Sequence, residues 1–253
     1  MARQNRNVKT DNRLSQQRAA RGNDMITQDQ RIDAEKINIT IKPNIHQQPI
    51  VDSMKYNYCT IVNGKSGTGK TTTAVGYALK LFEEKQFRKL VFVKNPTEAG
   101  DDKIGFLTGG KDEKLNHHFE MLKPVFLQFM SLGKFESLVN KGNLQLTIPN
   151  FMLGATLSDT ILIIDEAQLI SPKIIKMLLE RCDDSSIAVV LGDSGQRYAA
   201  DKRNDGLSDL IAKVTETFGG KLRSKDELFG YVELSHDANM RGKLSQRIGQ
   251  LYD

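Results

Sequence analysis

The sequence contains only two cysteines and no long apolar run, and each of these absences excludes a class of protein. Two cysteines, one of them (Cys59) in a predicted buried strand, are too few for a disulfide framework, so a reducing cytoplasm is expected. No apolar stretch approaches the roughly 18 residues that cross a bilayer. The N-terminus has no apolar segment of the signal-peptide type. We therefore expect a cytoplasmic protein without a membrane partner.

The size and the charge distribution predict one domain with a basic tail. A chain of 253 residues with 39% apolar content suits a single large α/β domain. Residues 1–24 carry most of the net charge of +5 and few apolar side chains, so we predict a disordered tail there and one domain over residues 25–253. The tail either attracts the phosphates of a nucleic acid through its charge or is solvated without a partner. It lacks the aromatic residues on which bases stack. Its charged residues are Arg3, Arg6, Lys9, Arg13, Arg18 and Arg21, against Asp11 and Asp24.

The most informative segment is the glycine-rich run Gly64–Thr71, which reads G-K-S-G-T-G-K-T. This is the G-x-x-x-x-G-K-T pattern of phosphate-binding loops, in which backbone N–H groups surround the phosphates of a nucleotide. Lys70 would reach the β- and γ-phosphates, and the Thr71 hydroxyl would bind Mg²⁺. A β-branched run precedes the loop at 58–63, and a helical pattern follows it over 71–85, which is the arrangement that such a loop requires.

A second motif supplies carboxylates at the end of a predicted buried strand. Four apolar residues, 161–164, are followed by Asp165 and Glu166, and ligands of open α/β sheets bind at the carboxyl ends of the strands. Asp165 would bind the Mg²⁺ shell, and Glu166 would act as the general base that activates water. The alternative is an acidic helix start, because Asp and Glu also suit a helix N-terminus.

A third strand, residues 187–191, runs into the polar loop Gly192–Gln196. Gln196 is placed to reach the γ-phosphate or its attacking water, with Asp193 orienting it. The alternative is an ordinary turn, because Gly, Asp and Ser are turn formers.

The order of elements predicts strands alternating with helices, and hence a parallel sheet with helices on both faces. Further strands are expected at 90–93, 144–148 and 231–234, and further helices at 44–55, 172–181, 206–217 and from 242 onward. Residues 111–138 show helical spacing, with a kink expected at Pro124. The apolar face of that helix packs either on the core or on a neighbouring subunit.

Together these motifs resemble those of the PhoH-like ATPases, which are related to the superfamily-one helicases but have a single core. The similarity runs from about Ile45 to the C-terminus. In its small size, the chain resembles the bacteriophage-encoded members. The resemblance implies a mostly parallel, RecA-like P-loop NTPase sheet. It is carried by the phosphate loop, Gly105–Gly109 with Glu113 and Lys114, Asp165–Gln168, Gly192–Gln196 and Arg241.

The resemblance also implies roles for residues that spacing alone does not identify. Gln47 resembles the glutamine that recognises adenine in this group, and Gln168 and Gln196 resemble glutamines that couple the γ-phosphate to neighbouring elements. Arg241 resembles an arginine of the last family motif, a position from which it would stabilise transition-state charge. The predicted nucleotide-binding residues are Gln47, Gly64, Lys65, Ser66, Gly67, Thr68, Gly69, Lys70, Thr71, Thr72 and Gln168. The predicted catalytic residues are Lys70, Glu166, Gln196 and Arg241, and the predicted Mg²⁺ ligands are Thr71 and Asp165.

Among the departures from the family pattern, two affect whole segments. The Arg-Pro that usually follows the second strand is replaced by Lys94-Asn95-Pro96. The segment before the acidic strand, 152–156, lacks the two arginines that the family usually has there.

The leading hypothesis is a Mg²⁺-dependent ATPase, helicase-like in class, that acts on RNA or single-stranded DNA. Its single phosphate loop implies self-association, as in a hexameric ring, to complete the cleft around ATP. The alternative is an ATP-switched module that recruits a protein partner, although Glu166 argues against an inactive switch. A small-molecule kinase is disfavoured by the Asp165–Glu166 pair, because direct phosphoryl transfer requires water to be excluded rather than activated.

Overall fold

The computed structural model describes residues 37–39, 42–95, 120, 122–152, 154, 156–195, 205–235, 242–244 and 247. Within them, the helices are α1 (Gln48–Tyr56), α2 (Lys70–Glu83), α3 (Leu132–Asn140), α4 (Pro172–Leu179) and α5 (Gly206–Val214). The strands are β1 (Cys59–Gly64), β2 (Lys89–Lys94), β3 (Leu144–Thr147), β4 (Thr160–Asp165), β5 (Ile187–Gly192), β6 (Thr215–Phe218), β7 (Lys221–Ser224) and β8 (Phe229–Leu234). Short 3-10 turns cover Pro149–Phe151 and Ala167–Leu169.

Six strands form one sheet in the order β3-β2-β4-β5-β1-β8, and every neighbouring pair is parallel. This confirms the predicted α/β class and places each predicted strand within one or two residues of its expected bounds. The central strands are buried on both faces, as their continuous apolar runs indicate: β4 and β5 contain no exposed residue. All six strands therefore direct their carboxyl ends to the same edge.

Helices cover both faces of the sheet and enclose two apolar clusters. On one face, α1, α2 and α3 pack with Phe92, Phe126 and Phe135. The Phe126 ring meets those of Phe92 and Phe135 at 5.7 Å between centroids. On the other face, α4 and α5 pack over alternate residues of β1, β2, β4 and β5. The two clusters cover both faces of the sheet behind its carboxyl edge.

The structure corrects two predicted helices. Residues 111–138 were expected to form one helix kinked at Pro124, but residues 122–126 are helical, a turn follows, and α3 begins at Leu132. The physical cause is the Ser131 hydroxyl, which accepts a hydrogen bond from the Lys134 N–H at 3.2 Å and starts a new helix. Residues 111–119 of this prediction lie outside the described part.

The helix predicted over 206–217 ends at Val214, and Thr215 begins an antiparallel ribbon formed by β6 and β7. Gly219 and Gly220 make its turn with φ angles of +58° and +76°, a conformation that glycine adopts without steric cost. The predicted tail 1–24, the Gly105–Gly109 segment and most of the C-terminal helix lie outside the described residues. Within the described part, no helix has the length and apolar character to span a membrane.

Candidate nucleotide-binding site

The phosphate loop connects the end of β1 to the start of α2, as its sequence predicts. Gly67 and Gly69 have φ angles of +87° and +78°, which only glycine adopts readily. A Cβ on Gly69 would overlap Nε2 of Gln47, so this glycine is also required for space. The loop therefore brings its backbone close to the N-terminus of α2, where the helix dipole favours an anion.

Lys70 lies folded over the loop. Its ammonium donates hydrogen bonds to the carbonyl oxygens of Gly64 and Lys65, the latter at 2.9 Å. The Thr68 hydroxyl donates to the same Lys65 carbonyl at 2.9 Å. The positive charge is thus held at the loop where the β- and γ-phosphates bind in proteins of this pattern. Ser66 and Thr72 are half-buried beside it.

Two residues that are far apart in sequence meet at the predicted metal position. The Thr71 hydroxyl donates to Oδ1 of Asp165 at 3.2 Å, joining the start of α2 to the end of β4. Hydroxyl and carboxylate oxygens are hard ligands of the kind that Mg²⁺ takes together with substrate phosphates. The pair therefore fits a Mg²⁺ ion that arrives with a nucleotide.

Asp165 is almost completely buried, with 3% of its surface exposed. Burial raises the pKa of its carboxyl above the ordinary value, because a desolvated carboxylate is disfavoured. The ammonium of Lys94 and the hydroxyl of Thr71 oppose this shift. The carboxylate is therefore held in a buried position by partners that stabilise its charge.

Glu166 has a left-handed backbone, with φ at +54°. A residue with a Cβ pays about 1–2 kcal/mol for this conformation, so the surrounding fold must impose it. The side chain is 35% exposed, and its Oε2 accepts a hydrogen bond from Nε2 of Gln168 at 2.8 Å. This gives Glu166 the two properties of a general base, access to solvent and a fixed orientation.

Gln168 joins the ends of two neighbouring strands. While its amide nitrogen holds Glu166, its Oε1 accepts from the Asp193 N–H at 3.1 Å. The side chain crosses directly over Gly192, where a Cβ would lie 2.5 Å from that oxygen. A shift of the loop after β5 would therefore also move the Glu166 carboxylate, through Gln168.

The loop after β5 is fixed by Asn63, at the end of β1. The Asn63 amide donates to the Ser194 hydroxyl and accepts from the Ser194 N–H, both at 3.0 Å. Asp193 accepts from the Gly195 N–H at 2.9 Å through Oδ1, while its Oδ2 is buried without a hydrogen-bond partner among the described residues. The predicted orienting role of Asp193 toward Gln196 stays a prediction, because Gln196 lies outside the described part.

Gln47 lies against the phosphate loop at the start of α1. Its amide donates to the Thr68 carbonyl at 3.2 Å, and its Oε1 accepts from the Asn44 N–H at 3.2 Å. The structure thus places this buried side chain at the loop, and its predicted contact with adenine remains a prediction. Arg241 lies outside the described residues, so its predicted role also stays open to experiment.

Sequence reasoning missed three residues at this edge: Asn63, Lys94 and Asn95. Asn95 donates to the Leu169 carbonyl at 3.0 Å, and Lys94 contacts both Asp165 and Glu166. The available signal was position, since each is a polar residue at the carboxyl end of a predicted strand, where the strands of a parallel sheet bring such residues together.

Comparison with known proteins identifies relatives over most of the chain. The family model described as PhoH-like protein matches residues 39–253. A PhoH-like protein of Bacillus subtilis is 31% identical over 82% of this chain and 62% of its own length. A PhoH-like protein of Mycobacterium leprae is 28% identical over 74% of this chain and 54% of its own. The chain thus spans about half the length of the curated relatives it matches.

Among solved structures, the flagellar accessory protein FlaH of Methanocaldococcus jannaschii aligns with a TM-score of 0.35 at 10% identity. The alignment covers 78% of this chain and 92% of that one.

Proposed function

Because the chain belongs to the PhoH-like protein family and carries a phosphate-binding loop, we propose that it is a Mg²⁺-dependent ATPase whose cycle acts on RNA or single-stranded DNA. The observation that carries the hydrolytic part is the meeting of Thr71 and Asp165 at 3.2 Å, with the solvent-accessible Glu166 next in the chain. The nucleic-acid part rests on the family and on the basic residues 1–24.

Each residue of the proposed mechanism has a distinct task. Lys70 would neutralise charge on the β- and γ-phosphates, and Thr71 and Asp165 would hold a Mg²⁺ ion. Bound Mg²⁺ would supply further positive charge to the oxygens of the phosphate groups. Glu166 takes the proton of the attacking water, and Gln168 keeps the Glu166 carboxylate oriented.

We further propose that the cleft is completed by a second copy of the chain. The sequence contains one phosphate loop and one Asp-Glu-Ala-Gln segment, whereas helicases of the related class close two cores around ATP. A ring, for example a hexamer, would bring a neighbour's arginine, with Arg241 as the candidate, to the γ-phosphate, where such residues increase rates by about 10³–10⁵-fold. Light scattering that finds only monomers, with and without ATP, would contradict this part.

The test is the release of phosphate from ATP, measured with Mg²⁺ or with EDTA, and with or without single-stranded RNA and DNA. We expect release that requires Mg²⁺, rises several-fold with one nucleic acid and is lost in Lys70→Ala, which also weakens nucleotide binding. Turnover that ignores both nucleic acids would contradict the substrate class. Binding without turnover, together with a protein partner retained only when ATP is present, would favour an ATP-switched module instead.

A further inference from the structure

Lys94 is paired with the acidic motif by the register of the sheet. It is the last residue of β2, and its register partner on β4 is Asp165. Paired residues of neighbouring parallel strands extend to the same face, so their side chains are adjacent. The Lys94 ammonium lies 3.2 Å from Oδ2 of Asp165 and 3.7 Å from Oε1 of Glu166.

The two carboxylates are therefore joined by one lysine. Asp165 already directs Oδ1 toward the Thr71 hydroxyl, so Lys94 takes the other oxygen. Glu166 likewise shares its oxygens between Gln168 and Lys94. Lys94 is three-quarters buried and Asp165 is almost wholly buried, so the attraction between them is stronger than it would be in bulk water.

We propose that Lys94 is an internal counter-ion that competes with a divalent cation for the Asp165–Glu166 pair, so that the pair accepts Mg²⁺ together with ATP and binds free Mg²⁺ poorly. This inference rests on the proposed function, since it assigns Asp165 to a metal site. It makes Lys94 a positioning residue, because it acts through the two carboxylates.

Charge and hydration support this competition. Without Lys94, two neighbouring carboxylates would repel each other and attract any available cation. Mg²⁺ gives up its water reluctantly and is bound mainly where substrate phosphates add ligands. A metal ion that arrives without nucleotide must displace the Lys94 ammonium and gains few ligands in return. ATP, in contrast, supplies phosphate oxygens both for the metal and for the released lysine.

The experiment measures Mn²⁺ binding to the full chain by electron paramagnetic resonance, first without nucleotide. The variants are Lys94→Met, Lys94→Arg and Lys89→Met. Lys89 is the first residue of the same strand β2, so its substitution removes the same charge at the opposite edge of the sheet. We expect Lys94→Met to bind Mn²⁺ about ten-fold more tightly than the parent, a change of about 1.4 kcal/mol. Lys94→Arg and Lys89→Met should stay near the parent value.

With a non-hydrolysable ATP analogue present, the parent and Lys94→Met should bind Mn²⁺ with similar affinity, because the nucleotide has released the lysine in the parent. Equal affinities of the parent and Lys94→Met without nucleotide would overturn the inference, as would an equal gain in Lys89→Met or no Mn²⁺ binding by any variant. Lys94→Arg retains the positive charge, so it provides the comparison with the parent if Lys94→Met unfolds. A Mn²⁺ affinity of Lys94→Arg that differs from that of the parent by more than about two-fold contradicts a purely electrostatic role. Failure of ATP hydrolysis in the parent, with the Lys94 effect intact, would count against the proposed function alone.

Discussion

Gly69 is a position of the phosphate loop that excludes larger side chains for two reasons. Its φ of +78° and the closeness of the Gln47 amide nitrogen, which a Cβ at this position would overlap, both exclude larger side chains. We predict that Gly69→Ala lowers the free energy of unfolding by about 1–2 kcal/mol and weakens nucleotide binding, because the backbone must leave the left-handed region or retain strain. Denaturant titration and calorimetry with an ATP analogue measure the two effects.

The double variant Gln47→Ala, Gly69→Ala separates the two causes. Removing the Gln47 amide relieves the steric overlap but not the backbone strain, and it also removes the hydrogen bonds of Gln47 to Thr68 and Asn44, so the reference for the double variant is Gln47→Ala alone. We expect Gly69→Ala to cost less stability in the Gln47→Ala background than in the parent. No cost in that background would show that the overlap alone matters, and an equal cost would show that the φ angle alone matters.

The reactivity of the two cysteine thiols provides a second prediction about single residues. Burial raises the pKa of both Cys59 and Cys182 to about 12. At pH 8 the thiolate fraction of each is roughly a thousandth of that of an ordinary thiol, so both should react very slowly with a thiol-directed reagent until the protein unfolds. Since a raised pKa favours folding only while the thiol stays protonated, stability should fall as the pH rises from about 9 toward 12. Rapid labelling of the native protein at pH 8 would contradict this.

Single residues also show how far sequence alone can identify the site. Lys70 and Thr71 could be predicted because the loop fixes their positions through local backbone geometry. For Lys94 and Asn63 the sequence shows only a position at the carboxyl end of a predicted strand, because their partners depend on which strands are neighbours and in which register. The order β2-β4-β5-β1 that brings them to the acidic motif is a property of the whole sheet.

At the scale of elements, the start of α3 depends on one side chain. Ser131 caps the helix by accepting from the Lys134 N–H. We predict that Ser131→Ala lowers the free energy of unfolding by about 1 kcal/mol, whereas Ser131→Asp, which can also cap, stays close to the parent. Thermal and denaturant unfolding measure both variants. An equal loss in the two would mean that the hydroxyl is needed for packing and not for capping.

The elements also differ in how well the sequence predicts them. The central strands are short, continuous apolar runs, a pattern typical of strands buried on both faces of a parallel sheet. The ribbon after α5 was missed because Thr215–Phe218 continues the helical spacing, and only its pairing with Lys221–Ser224 makes it a strand. Such pairing depends on partners outside the segment.

On the scale of the whole molecule, the excess positive charge and the candidate nucleotide site lie in different parts of the chain. Most of the net charge lies in residues 1–24, outside the described part, while the site lies at the carboxyl edge of the sheet. We predict that deleting residues 1–24 lowers the salt dependence of RNA binding, by about 0.7 in slope for each phosphate of a single strand that the tail no longer neutralises. A control chain with the six basic tail residues replaced by glutamine keeps the length and should show the same reduced slope. An unchanged slope would remove the tail from nucleic-acid binding.

The central claim is that the carboxyl edge of this sheet hydrolyses ATP with Glu166 as the base. The most direct test compares the parent with Glu166→Gln, measuring ATP binding and steady-state phosphate release in the same preparations. We expect unchanged binding and a fall in turnover of about a hundred-fold or more, because the amide has the shape of the carboxylate but cannot accept the proton. Equal turnover in the two proteins would show that Glu166 is not the base.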